Sequence, residues 1–338
     1  MRNLCGGESD LKYLLKRTLL AHLATLVFFA LSAGAWSDAA LAAKTHAQAK
    51  AHAKAKVKAK AKAKAKRPAA VSVSQKLSLK SAAAIIVDQQ SGEILYGKNP
   101  GSVVPIASIT KLMTAMVVLD AGLNADEPVA IIGDDIDLEK GSRSRLSVGS
   151  MVTRDELLLI ALMASENRAA HALGRSYPGG LVAFVQAMNH KAQMLGMNDS
   201  KFVDPTGLSS GNVSTAEDLG KMVRAAHGYP RIRGYSTATS YEVNTGQRTL
   251  AYRNTNRLVS NEGWNIGLSK TGYINEAGRC LVMQATLKAR PVIIVLLDSL
   301  GKMTRIADAN RVRKWLEASP HIVATQKAAQ IGGDESGG

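Results

Sequence analysis

Short apolar and β-branched runs stand near both ends of the sequence, with a long stretch of helical period between them, and no other feature constrains the fold as much. Residues 82–87 and 94–96 flank Asp88-Gln89-Gln90-Ser91-Gly92, a turn-rich link of hairpin length. Residues 265–270, 280–287 and 292–297 form a second set, divided by Gly-rich or Lys-Ala-Arg-Pro links. The two sets predict one sheet completed from distant parts of the chain, with a helical insertion beside it.

After Pro105 the period changes. Ile109, Leu112, Met113, Met116 and Val117 recur at helical spacing, which predicts a helix over 108–121 with Ser108 at its N-terminus. Thr153-Arg154-Asp155-Glu156 has the capping-box pattern ahead of an apolar helix through Met163. Ser214-Thr215-Ala216-Glu217 repeats that pattern before Leu219, Met222 and Val223. Residues 181–195 form another helix, closed by Gly196, and a last one spans 305–317. The fold class is therefore α/β, of the α+β kind, without an internal repeat. An apolar fraction of 46% in 338 residues is enough for a substantial core.

A net charge of +16 invites a nucleic-acid reading, but ten positive charges and no acid fall within residues 44–67. About +5 is left after Arg67, an ordinary surface balance, so no nucleic-acid partner is expected. Residues 44–66 almost alternate Ala and Lys; they offer no large side chain to bury and repel one another, so residues 44–76 are read as a disordered tether. It is either a solvated spacer or a segment that adheres to anionic wall polymer or membrane lipid. His46 and His52 have no Cys or carboxylate beside them and are not read as metal ligands.

Ahead of the tether, Lys12, Lys16 and Arg17 precede an apolar run over 19–35 and then Ala40-Leu41-Ala42. This pattern is an export signal over residues 1–43, and it places the mature chain in the periplasm. The run is at the short edge of bilayer-spanning length, so an uncleaved anchor is the lesser reading. Cys5 lies before the apolar run instead of after it, which argues against a lipoprotein. Cleavage leaves Cys280 as the only cysteine, so no intrachain disulfide is expected, and a domain over 77–320 relies on packing. Residues 321–338 read as a flexible tail.

Ser108-Ile109-Thr110-Lys111 places a hydroxyl and an amine three residues apart, on one face of a helix. A serine needs a neighbour to take its proton, and a lysine can do so once burial and nearby cations depress its pKa. The spacing also occurs at Ser9 to Lys12 and Ser299 to Lys302, so alone it is weak. Its company strengthens it: Ser165-Glu166-Asn167 follows at an interhelical junction, and Lys270-Thr271-Gly272 ends a predicted strand. Ser210-Gly211-Asn212 competes with the Ser165 triplet, but it lies in the turn-rich stretch after Asp204-Pro205-Thr206-Gly207-Leu208 instead of between two helices.

The three triplets together resemble the signature of penicillin-recognising serine enzymes. In that arrangement Ser165 relays a proton to the leaving amine, Asn167 holds the substrate backbone, Lys270 supplies positive field and Gly272 lets substrate lie against the strand. Much of the span 83–315 is similar to the low-molecular-mass penicillin-binding proteins, the D-alanyl-D-alanine endopeptidases and carboxypeptidases. The stretches that carry the likeness are Pro105-Ile106-Ala107-Ser108-Ile109-Thr110-Lys111-Leu112-Met113-Thr114-Ala115, Ser165-Glu166-Asn167-Arg168-Ala169-Ala170, Asp204-Pro205-Thr206-Gly207-Leu208 and Lys270-Thr271-Gly272-Tyr273.

The resemblance implies a β-lactamase-like antiparallel sheet flanked by helices, a helical subdomain, and a site in the cleft between them. It implies Ser108 as nucleophile, Lys111 as base, an oxyanion hole from the N–H groups of Ser108 and Tyr273, and substrate contacts from Thr271 and Arg305, the latter as a carboxylate clamp. Peptidoglycan peptide is the implied substrate and β-lactams the implied inhibitors, with no cofactor or metal. The pattern after Trp315 holds no further β-domain, which favours the smaller endopeptidase type over a carboxypeptidase. A serine β-lactamase needs an additional carboxylate presented to water, which Glu166 does not supply. A non-catalytic wall-binding or antibiotic-sensing protein is disfavoured by the intact triplets.

Overall fold

The computed structural model describes residues 77–318. The segments read as export signal (1–43), tether (44–76) and C-terminal tail (321–338) lie outside these residues.

Two hydrophobic clusters sandwich one sheet. Its strands are β1 (Ala83–Asp88), β2 (Ile94–Lys98) and, from the far end of the chain, β9 (Asn265–Ile274), β10 (Gly278–Leu287) and β11 (Arg290–Ser299). The spatial order is β2-β1-β11-β10-β9, every pair antiparallel. Chain-distant β1 and β11 meet at the centre with Ile85 opposite Val295, which is the joining of two strand sets that the sequence pattern demands. Both faces of these strands are covered, so they are continuous apolar runs instead of alternating ones. Ile85, Ile293 and Val295 face one cluster, while Ile86, Ile294 and Leu296 face the other.

Between the strand sets lie the helices and six short strands. In chain order these are β3 (Val104–Pro105), α1 (Thr110–Asp120), β4 (Pro128–Ala130), β5 (Met151–Thr153), α2 (Arg154–Met163), α3 (Asn167–Arg175), α4 (Gly180–Met194), β6 (Val213–Ser214), α5 (Ala216–His227), α6 (Pro230–Thr237), β7 (Ser240–Asn244) and β8 (Thr249–Arg253). α1 is apolar nearly all round because it runs through the centre, with Leu112, Met113, Met116 and Val117 buried in one cluster with residues of α2, α3 and α4. α5 lays Leu219, Met222 and Val223 into that same cluster, against the inner face of the sheet. On the outer face α7 (Thr304–Ala318) contributes Ala309, Val312, Trp315 and Leu316, and Trp315 packs edge-on to Tyr96.

Helix starts follow local chemistry. Thr153 closes the capping box: its Oγ1 accepts from Glu156 N, and Glu156 Oε2 accepts from Thr153 N, an arrangement worth about 1 kcal/mol. α5 begins one residue later than its sequence pattern indicated, because Thr215, not Ser214, caps it by accepting from Asp218 N. Ser108 sits in a single 3-10 turn, Ala107–Ile109, that leads into α1. β9 runs on to Ile274, so Lys270-Thr271-Gly272 lies within the edge strand instead of ending it. Gly272 reads as a terminator in sequence, yet its place in the ladder, opposite Cys280, is regular.

α7 is also tied to the start of the domain by a buried carboxylate. Asp308 Oδ2 accepts from Ser81 N and Ser81 Oγ, both at 2.7 Å, and Oδ1 accepts from Lys80 N and from Arg311. Burial alone raises this carboxyl, but the hydrogen bonds from Ser81 and Lys80 outweigh it and hold the pKa below 3.8. Asp308→Ala leaves these donors without their acceptor and is expected to lower unfolding free energy by about 3 kcal/mol near neutral pH in denaturant melts. A depressed native pKa contributes stability above the unfolded value that is lost as pH falls through the native one. The gap between variant and wild type therefore narrows as pH is taken below 3.8.

Candidate active site

The cleft is built where the 3-10 turn meets edge strand β9. Ser108 is partly exposed, and Lys111, one turn later, is buried. Lys111 Nζ donates to Ser108 Oγ at 3.0 Å, to Asn167 Oδ1 at 2.7 Å and to Thr206 O at 2.7 Å. Burial pulls its pKa down to about 7, although the carboxylates of Asp204 and Glu166 push the other way. An amine with that pKa is neutral in a large fraction of molecules at neutral pH and can accept a proton from serine.

Ser165 is the middle residue of the three-residue break between α2 and α3, with φ of 60°, and it presents its hydroxyl to Lys270 Nζ at 2.9 Å. Glu166 caps α3 by accepting from Arg168 N, which starts the new helix so that Asn167 turns inward. Asn167 Nδ2 donates to Ser142 Oγ at 3.0 Å, and this leaves Oδ1 for Lys111. Lys270 also donates to Thr271 O. Its pKa lies well below the ordinary lysine value, chiefly through burial and then through the positive charges of Lys111 and Arg305.

Gly272 is where the strand touches the 3-10 turn that carries Ser108. A Cβ there would lie 3.0 Å from Ile106 O, 3.1 Å from Ala107 Cβ and 3.2 Å from Ser108 N, so a side chain would push the two apart. Thr271 Oγ1 bonds Thr255 Oγ1 at 2.7 Å. Tyr273 is half exposed on the rim, with the Arg279 guanidinium 4.3 Å from its ring centre. Arg305 reaches the strand from α7 and donates Nη1 to Gly272 O at 2.9 Å and Cys280 O at 3.2 Å; its buried Nε has no hydrogen-bond partner among the described residues. Ser108, Lys111, Ser165, Asn167, Lys270 and Gly272 thus converge on one cleft, with Thr271, Tyr273 and Arg305 along or behind its strand wall.

The sequence reading singled out the stretch from Asp204 to Leu208 without a role for it; this loop holds Lys111 from the other side. Asp204 accepts from Thr206 N, Thr206 Oγ1, Gly207 N and Ser209 N, and so aims the Thr206 carbonyl at the lysine. Gly207 has φ of 80°, and a Cβ on it would fall 2.0 Å from Ala107 O. Asn212, from the competing Ser210-Gly211-Asn212 triplet, braces this loop: Nδ2 donates to Thr110 Oγ1 and Asp204 O, and Oδ1 accepts from Val203 N. Its place in the loop explains the decoy. Cys280 is buried behind Gly272, its thiol pushed up to about 11 by burial, and is inert.

Residues 69–301 match the D-alanyl-D-alanine carboxypeptidase family. The chain is 48% identical over 275 residues to a D-alanyl-D-alanine endopeptidase of Pseudomonas aeruginosa, covering 80% of this chain and 89% of that one. It is 47% identical over 274 residues to a D-alanyl-D-alanine endopeptidase of Escherichia coli, covering 78% and 88%. Among solved structures it is similar to a Streptomyces DD-transpeptidase, with a TM-score of 0.67, 30% identity and coverage of 72% of this chain and 98% of that one.

The Lys111 environment generates a pH test. Reaction of Ser108 with an activated acyl ester should rise with pH through a midpoint near 7, since the neutral amine is the base and protonation below its pKa removes it. Lys111→Ala should slow acylation by roughly 10² to 10⁴ and abolish that rise, while Lys270→Ala retains a residual rate with the rise intact. An unshifted pH profile in Lys111→Ala, followed by stopped-flow or mass spectrometry, places the base elsewhere.

Proposed function

The chain belongs to the D-alanyl-D-alanine carboxypeptidase family, and from that membership and the cleft we infer a serine DD-endopeptidase that hydrolyses D-alanyl-diaminopimelate cross-links of peptidoglycan through an acyl-enzyme on Ser108. The observation that carries the chemistry is the buried Lys111 amine, 3.0 Å from Ser108 Oγ. The two endopeptidases identical to it at nearly half of the aligned positions support cutting of bridges over removal of a terminal residue.

In the reading we favour, Ser108 Oγ attacks the D-alanyl carbonyl carbon as its proton passes to Lys111 Nζ. The oxyanion is received by the N–H groups of Ser108 and Tyr273, on two segments that Gly272 allows to pack closely. The C–N bond then breaks, and the proton returns through Ser165 Oγ to the leaving amine. Lys270, bonded to Ser165, supplies positive field, Asn167 and Thr271 hold the peptide, and Arg305 attracts the carboxylate of the leaving residue. Water attacks the ester by the same route in reverse and regenerates Ser108.

We place this activity in the periplasm, on the strength of the export signal over 1–43. We also assign the basic segment 44–67 a role in holding the enzyme near anionic wall polymer or membrane lipid, since its ten positive charges are separate in sequence from the cleft residues.

Two experiments follow. Purified protein incubated with cross-linked muropeptide dimers should yield monomers, and Ser108→Ala should yield none and take up no penicillin adduct by intact mass; loss of only a terminal alanine from pentapeptide makes the protein a carboxypeptidase. Deleting residues 44–67 should leave turnover of small muropeptides unchanged and weaken retention on sacculi. That retention should fade as salt rises, because the attraction acts over roughly 8 to 10 Å near physiological salt. Equal, salt-insensitive pull-down of both forms makes the segment a plain spacer.

A further inference from the structure

An ion pair bridges the mouth of the cleft and takes no part in the chemistry above. Lys140 Nζ lies 2.5 Å from Glu276 Oε1. Lys140 belongs to the loop that leads to Ser142, the acceptor for Asn167; Glu276 belongs to the turn after β9, four residues beyond Gly272. Each wall of the cleft therefore supplies one partner. The loop is set by Asp137, whose Oδ1 accepts from Glu139 N and Lys140 N and whose Oδ2 accepts from Ser142 N, so one carboxylate positions both Lys140 and Ser142. The two charged side chains remain accessible, at 29% and 42% exposure. The hydrogen bond between them raises the lysine pKa and lowers that of the glutamate. A groove of about 210 Å³ is walled by Ile136, Asp137, Leu138 and Glu139 of this loop and shared with Asn167 and Thr206.

The direction of the substrate decides what meets this pair. Lys270, bonded to Ser165 and farther from the β9–β10 turn than Gly272, draws the carboxylate of the residue that leaves, with Arg305 at the level of Gly272. The acylating stem then runs the other way, past Tyr273 towards Ile274 and the turn that holds Glu276. A peptide laid along a strand advances about 3.3 Å per residue, so the residue before the D-alanine reaches the level of residues 274–276. In a diaminopimelate stem, that residue's side chain ends in a centre bearing one ammonium and one carboxylate.

We propose that Lys140 and Glu276 form the subsite for this zwitterionic end: Glu276 accepts from the ammonium, Lys140 donates to the carboxylate, and each gives up the other. The proposal rests on the substrate class inferred above. An exposed ion pair contributes little on its own, so opening it costs little, and the exchanged set leaves every charge paired. The methylenes between the two ends of the side chain lie against Ile136 and Leu138. A stem with lysine in place of diaminopimelate offers only the ammonium and leaves Lys140 without a partner.

The test uses synthetic thioester donors that end in D-alanine and differ only in the preceding residue, diaminopimelate or lysine, with the same leaving group. Wild type should acylate faster with the diaminopimelate donor, by about tenfold in kcat/KM. Lys140→Ala should erase that preference, Lys140→Arg should keep it, and Glu276→Gln should slow both donors. Penicillin, which carries no such side chain, should acylate all variants as it does wild type. Absence of a preference in wild type, or its survival in Lys140→Ala, overturns the subsite; so does a parallel loss of penicillin acylation, which makes the pair a structural brace. Because the leaving group is constant, the result stands apart from whether dimers or pentapeptides are cut.

Discussion

The fold turns on one buried amine. An ammonium or amine out of water must find partners within the protein, and Lys111 Nζ finds three: Ser108 Oγ, Asn167 Oδ1 and Thr206 O. Each comes from a different part of the chain. The 3-10 turn of Ser108, the start of α3 and the loop from Asp204 to Asn212 are thereby drawn to a single point. The same burial that demands these partners brings the pKa to about 7, so satisfying the amine and activating it are one structural act.

Presentation of the hydroxyls takes backbone strain. Ala107 has φ of 48° and Ser165 has φ of 60°, conformations that cost a non-glycine residue of order 1–3 kcal/mol each. Both are over-determined by their surroundings. Ala107 O is gripped by Thr110 Oγ1 and backed by Gly207, where no other residue fits. Ser165 is held from across the cleft by Lys270, so the break between α2 and α3 cannot relax into one continuous helix without losing that bond.

The cleft is also poor in compensating acids. Burial lowers the proton affinity of Lys270 and the positive charges of Lys111 and Arg305 lower it further, while the carboxylates of Asp204 and Glu166 act on Lys111 only at a distance, being used in the loop and the α3 cap. A site with positive charges and a developing need for negative ones is complementary to an oxyanion and a leaving carboxylate. On the rim, by contrast, Lys140 and Glu276 already balance each other, and the potential there is set for a neutral but charge-separated group.

The sequence alone determined the strand sets, the helical middle, the helix caps at Thr153 and the end of α4 at Gly196, and the triplets at Ser108, Ser165 and Lys270. These are local signals: a hydrophobic period, a cap or a hydroxyl–amine spacing is written within a few residues. The α6 helix and the β7–β8 hairpin escaped notice because they are polar on most faces, with Val243, Leu250 and Tyr252 the buried residues of the hairpin. The continuation of β9 past Gly272 escaped because a glycine reads as a stop unless one knows that another backbone packs where its side chain would stand. Only the tertiary structure decided that Asn212 braces a loop while Asn167 faces the lysine, that a backbone carbonyl of Thr206 completes the site, and that Lys140 meets Glu276 across the cleft. Carbonyl oxygens are identical along every chain, and an ion pair 136 residues apart has no local signature, so these features exist only once packing brings distant segments within hydrogen-bond reach.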